Sequence, residues 1–156
     1  KQYDTFFFFL QKVGAIKQVV VATPDIPIQE LTAKIKAENW TAVENWLNEQ
    51  RWFSNDSGIP HIKLFWLYVF NKKRPAIVAN YIIPSENEML SILAQNTGVT
   101  IVWDCNAKTK IQNKELQLVW DSPKMPEKPV FLLSGKNNQL TTITQEVASV
   151  LKEVLG

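Results

Sequence analysis

Few residues in this sequence could do chemistry, and they do not add up to a complete catalytic set. Asp104 and Cys105 close the apolar run 99–104, and His61 is the lone histidine. A carboxylate at the end of a buried strand stands where open α/β sheets present their ligands. A thiol beside it could serve as a nucleophile if His61 approached as its base. Two arguments weigh against the pair. An adjacent carboxylate raises a thiol's pKa, because like charge disfavours the thiolate, and neighbours along a strand point to opposite faces. Cys105 then reads as a small core residue, Asp104 as a turn cap and His61 as a partly exposed residue at a strand start.

Asp121 extends the set, because Val102-Trp103-Asp104 recurs as Val119-Trp120-Asp121. The polar stretch 106–114 between the two copies looks too short for a crossover helix, so the expectation is an antiparallel hairpin. A hairpin sets the two carboxylates at opposite ends, where they cannot share a proton or an ion. Only a parallel arrangement would bring them together. One cysteine and one histidine exclude a multi-cysteine or histidine-rich metal site, and no cofactor signature is present. Ser134-Gly135-Lys136 lacks both the earlier glycine and the Gly-Lys-Ser/Thr ending of a phosphate loop.

Binding surfaces are the better prospect. Lys72, Lys73 and Arg74 form the densest basic cluster, and Lys108, Lys110 and Lys114 form a second. If both tips project from one end of a sheet, they make a cationic patch for an anionic surface or single-stranded nucleic acid. As plain turn residues they are solvated and discourage edge pairing. Net charge is only +2, and Arg51 and Arg74 are the only arginines among seventeen basic residues, so nucleic acid is not favoured as partner. Trp52 falls off the apolar face of its helix and becomes a contact candidate if exposed. Asn80 is the single polar break in an apolar run.

The elements that must position these residues follow from periodicity. Residues 62–70 and 75–83 are apolar on both faces and read as two adjacent interior strands around the pivot 71–75. Residues 18–22 form a β-branched strand ended by Thr23-Pro24. The segment 24–37 carries Ile28, Leu31 and Ile35 at helical spacing. Thr41-Ala42-Val43-Glu44 and Ser85-Glu86-Asn87-Glu88 are capping boxes, and Thr142-Ile143-Thr144-Gln145 caps a last helix with Val147, Val150, Leu151 and Val154 on one stripe. Residues 5–13 suit strand or helix, and the closing Gln11, Lys12 and Gly14 tip the reading toward helix. A proline-stiffened connector, 121–129, leads to a short strand at 130–133.

At 156 residues the chain is expected to be a single α/β domain spanning 1–156. The pattern predicts a mixed sheet of about five or six strands with helices on one or both faces. The longest apolar run, Leu64 to Phe70, is far below the roughly 20 residues of a membrane span. The lone cysteine fits a reducing, cytoplasmic setting, and the missing Met fits a processed chain or a piece of a larger protein. The functional expectation is a non-catalytic binding or protein-interaction module for an unknown protein or small molecule, using Trp52, Asn80 and the basic turns. The second reading is a small hydrolase or transferase centred on Asp104 with His61 or Cys105, and the third is a weak nucleic-acid binder.

Overall fold

The apolar patterns and caps resolve into seven strands and six helices among residues 8–135 and 141–156, the part of the chain that the computed structural model describes. In chain order they are β1 (Phe8–Ile16), β2 (Gln18–Ala22), α1 (Gln29–Lys36), α2 (Trp40–Asn48), β3 (Phe53–Ser54), α3 (Pro60–Phe70) and β4 (Tyr81–Ile82). Then follow α4 (Glu86–Leu93), β5 (Val99–Trp103), α5 (Asp104–Gln112), β6 (Gln117–Trp120), β7 (Lys128–Gly135) and α6 (Thr142–Leu155). The expected mixed α/β class is therefore observed. The chain divides into two compact units, Gln18–Met125 on one side and Lys1–Lys17 with Pro126–Gly156 on the other.

Within residues 18–125 the sheet is built on β2, which pairs antiparallel with β5 along one edge and with β6 along the other. β3 and β4 pair in parallel. An isolated parallel bridge between Trp52 and Val99, with the Val99 N–H donating to the Arg51 carbonyl at 2.9 Å, joins them to β5. The strands thus run in the spatial order β4-β3-β5-β2-β6, and β2 alone opposes the other four. Alternation along β2 separates two cores. Val20 and Ala22 pack into a cluster with Leu31 of α1, Val43, Trp46 and Leu47 of α2, and Phe65, Trp66 and Val69 of α3. Val19 and Val21 pack on the other side with Met89, Leu90 and Leu93 of α4 and Ala107 of α5.

Two sequence expectations fail here for the same reason. Residues 62–70 are not a strand but most of α3, and of residues 75–83 only Tyr81–Ile82 form a strand. An all-round apolar run carries no period of its own, so length and flanks decide. Pro60 sits in the first turn, where its missing N–H costs nothing, and Asn71 ends the helix in the left-handed region at φ 55. The buried set Ile62, Phe65, Trp66 and Val69 then falls at i, i+3, i+4 and i+7. Just ahead of β4, Asn80 grips Trp52 twice: its Oδ1 accepts from the Trp52 N–H and its own N–H donates to the Trp52 carbonyl, both at 2.8 Å.

The supposed hairpin of residues 99–121 is also corrected. Residues 104–112 do form a crossover helix, α5, and β5 and β6 lie parallel to each other with β2 between them. Only Ala107 of that helix is buried, so its apolar stripe is too thin to read. Helix starts shift slightly: Asn39, not Thr41, caps α2 through its Oδ1 to the Ala42 N–H, and Thr141 caps α6 by accepting from the Thr144 N–H. Ser85 caps α4 as expected.

In the other unit β1 and β7 form an antiparallel ribbon with a register shift between Lys12 and Gly14. Residues 8–13 are therefore strand, not helix, because a partner strand far along the chain outweighs local propensity; residues 5–7 lie outside the described residues. A Cβ on Gly14 would stand 2.8 Å from the Leu155 Cβ of α6, so glycine is what lets the ribbon approach that helix. Of the apolar stripe of α6, Val147, Val150 and Val154 are exposed, while Ala148 is buried.

Gly98 closes the sheet of residues 18–125 most tightly. A Cβ there would lie 2.7 Å from both the Arg51 carbonyl oxygen and the Phe53 ring. Gly98→Ala is expected to destabilise the chain by about 1–3 kcal/mol, read as a lower urea midpoint at unchanged slope.

Candidate functional site

Four parallel strands end at one edge of the sheet, and β2 begins there. That edge collects Gln18, the loop after β3, Pro84-Ser85 after β4, Asp104 after β5, and Asp121-Ser122 after β6. Helices α3, α4 and α5 all start from it. Asp104 and Asp121, expected at opposite ends, lie at the same edge with β2 between them, roughly 10 Å apart by strand spacing.

The helix starts are not equivalent. At α4, Ser85 Oγ accepts from the Glu88 N–H at 3.4 Å, and Glu86 and Glu88 occupy the first turn. At α5, Asp104 lies in the first turn and accepts from the Cys105 N–H at 2.8 Å. Asn106 Nδ2 donates to Glu86 Oε1 at 2.7 Å and ties these two starts together. The start of α3 has no side-chain cap and no acidic residue in its first turn. Its capping position is Ile59, held at φ 47 and ψ 47, an uncommon conformation for a β-branched residue. The α3 start thus has no side-chain cap of its own, and the nearest carboxylate along the chain, Asp56, is engaged by the Gly58 N–H at 2.6 Å just ahead of it.

Beside that open start lie two buried polar atoms without hydrogen-bond partners, Gln18 Oε1 and His61 Nδ1. Gln18 is only 2% exposed and stands opposite Trp103 in the β2–β5 register. Directly opposed residues of antiparallel strands share a face, and Gln18 shares its face with Val20 and Ala22, the one covered by α3. His61, in the first turn of α3, meets the Trp103 ring edge-on with centroids 5.9 Å apart. Leaving a buried polar group unpaired costs about 1–3 kcal/mol, so two such atoms near one indole call for a partner, an ordered water or a ligand.

The remaining sequence candidates sit elsewhere or are engaged. Cys105 belongs to α5, which covers the opposite face from α3, so the fold does not gather it with His61. Burial first, and the Asp104 carboxylate second, push its thiol above the ordinary range. Trp52 is buried, and its Nε1–H donates to the Leu47 carbonyl at 2.8 Å. Asn80 is spent on the Trp52 amide. Lys72 forms an ion pair with Glu44, whose Oε1 also accepts from Trp66 Nε1 at 3.1 Å. Lys110 pairs with Glu115 at 2.8 Å. Lys72, Lys73 and Arg74 follow the end of α3, whereas Lys108 and Lys110 lie within α5 and Lys114 just beyond it, so the two clusters belong to opposite faces of the sheet. Lys73 and Arg74 are exposed, and no group of three metal-ligating side chains occurs among the described residues. Ser134-Gly135 ends β7, and Lys136 lies outside the described residues. Gln18, the residue sequence reasoning missed, carried one signal: a glutamine opening an otherwise apolar central strand.

Comparison with solved structures places the fold. The chain is similar to the regulatory domain of CrgA, a LysR-type transcriptional regulator from Neisseria meningitidis, with a TM-score of 0.58 and 15% identity over 100% of this chain and 72% of that one. It is similar to ArgP from Mycobacterium tuberculosis, with a TM-score of 0.57 and 10% identity, covering 100% of this chain and 49% of that one. It also resembles the Synechocystis CcmR regulatory domain in complex with 2-PG, with a TM-score of 0.53 and 17% identity over 99% of this chain and 70% of that one. At such identities the likeness is one of fold. No family model matches the chain, and no curated protein matches it by sequence. No helix among the described residues is long and apolar enough to cross a membrane.

The Cys105 environment has a direct chemical consequence. With the folded pKa raised, the thiolate fraction at pH 7 falls below that of the unfolded chain. Alkylation by iodoacetamide should therefore be slower in the folded protein than in urea. The gap should narrow as pH climbs through the raised folded value.

Proposed function

We propose that this chain is a non-catalytic effector-binding module, taking a small polar molecule at the carboxyl edge of its five-stranded sheet. The carrying observation is the pair of unpartnered buried atoms, Gln18 Oε1 and His61 Nδ1, beside the uncapped start of α3. A ligand hydroxyl or amine donates to Gln18 Oε1, and a carboxylate or other anionic oxygen settles at the α3 start, where amide donors and the helix dipole favour it. The Trp103 face supplies apolar contact between the two. The likeness to LysR-type regulatory domains, one of them solved with 2-PG, supports this reading over a catalytic one.

The test is a thermal-shift and calorimetric screen of small hydroxy- and amino-carboxylates, with 2-PG included. Compounds that bind the wild-type chain should lose affinity about tenfold or more in Gln18→Leu and His61→Phe. Gln18→Leu alone should leave the ligand-free protein as stable as wild type or more so, by up to about 1–2 kcal/mol, since it removes a buried orphan without emptying space. Hits that bind both variants as well as wild type would sink the proposal.

We infer as well that residues 1–156 act as one domain. All six tryptophans lie within residues 18–125, whereas far-UV circular dichroism reads both units. Coincident denaturation curves from the two signals are expected; separated midpoints would instead make the units independent.

A further inference from the structure

Next to the α3 start, a cavity of about 400 Å³ opens between α3 and the segment that leads into β4. Its lining includes Ile59 and Ile77, both part of the core, so it reaches the apolar interior. Val78 and Ile82 also line it, with exposures of 82% and 48%. Lys63 and Arg74 are the charged residues of the lining, Ser57, Pro75 and Ala79 make up the rest, and no carboxylate lines it. Neither cation takes part in an ion pair among the described residues, whereas Lys34, Lys72 and Lys110 are all paired.

We infer that this cavity is a binding site for a small amphipathic carboxylate, an organic acid with an apolar tail. The tail lies against Ile59, Ile77 and Val78, and the head group meets Lys63 and Arg74. The volume falls in the range of small-molecule pockets, which are apolar clefts with a few placed polar groups. Two unpaired cations and no acid give the cavity a positive potential, and apolar walls strengthen a head-group contact that water would otherwise weaken. Arg74 can hold a carboxylate through two parallel N–H bonds, while Lys63 adds a point charge. The same charges argue against a second copy of the chain, since a two-fold contact would bring these cations toward their own equivalents. The cavity shares Ile59 with the α3 start, but Lys63, Arg74 and Val78 belong to it alone, so variants at these three positions test it separately from Gln18 and His61.

The test uses sodium octanoate on the full chain, followed by calorimetry and by amide chemical shifts in the NMR spectrum. Octanoate should bind, with shifts centred on residues 59, 63 and 74–82, and the uncharged octanol should bind at least about tenfold more weakly. Lys63→Glu with Arg74→Glu should cost a similar factor. Both positions are exposed, so melting should hold. Val78→Asp provides a second, folded variant with the tail contact removed. Three outcomes would overturn the site: no octanoate binding, shifts confined elsewhere, or equal affinity in the charge-reversed variant. Concentration-dependent self-association abolished by Val78→Asp would also overturn it, assigning the surface to a second copy.

Discussion

β2 is hydrogen-bonded along both edges, and all five of its residues are buried. Its amides and carbonyls have no water to turn to, so the strand exists only while β5 and β6 flank it. That constraint sets the layering of residues 18–125. With both faces inside, alternate residues must each find an apolar layer: the α1–α3 cluster takes Val20 and Ala22, and the α4–α5 cluster takes Val19 and Val21. It also sets the direction of everything else. Because β2 opposes its neighbours, its amino end comes to lie among their carboxyl ends.

The candidate site is a product of that opposition. A glutamine at the start of an ordinary strand would find solvent, but Gln18 is drawn under α3 against Trp103 and left with an unpaired oxygen. The surrounding helix starts are already supplied with Ser85, Glu86, Glu88 and Asp104, so α3 alone of the three lacks both a side-chain cap and an acid in its first turn. Polar deficit and dipole coincide within one turn of His61. The arrangement is poor for stability and suited to holding a guest, a trade proteins make at functional sites.

How much of this was legible from sequence depends on how local each signal is. β2 and α4 could be read because β-branched runs and a serine cap act within a few residues. The α/β class followed from the alternation of such segments. α3 was misread because residues 62–70 are apolar on every side, and only Pro60 and Asn71 at its ends distinguish helix from strand. β1 failed for a non-local reason: its partner β7 begins more than a hundred residues later. The edge site was half visible. Asp104 and His61 were singled out for their chemistry, but no spacing rule joins them to Gln18, since their proximity comes from sheet order. Trp52 and Asn80 were singled out as contact candidates; Trp52 is instead buried, and the exposed Asn80 accepts a hydrogen bond from its amide.

The order of the strands in space also has a temporal side. β2 is complete by residue 22, yet one partner starts at residue 99 and the other at residue 117. During synthesis the segment Val19-Val20-Val21 must wait for about eighty further residues before its first edge can be closed. Loop closure over such a span is slow to be repaid. In the meantime a short, uncharged, β-branched strand with two open edges is the kind of segment that recruits copies of itself. The same double pairing that fixes the finished sheet therefore makes nascent β2 the point at which folding and aggregation compete.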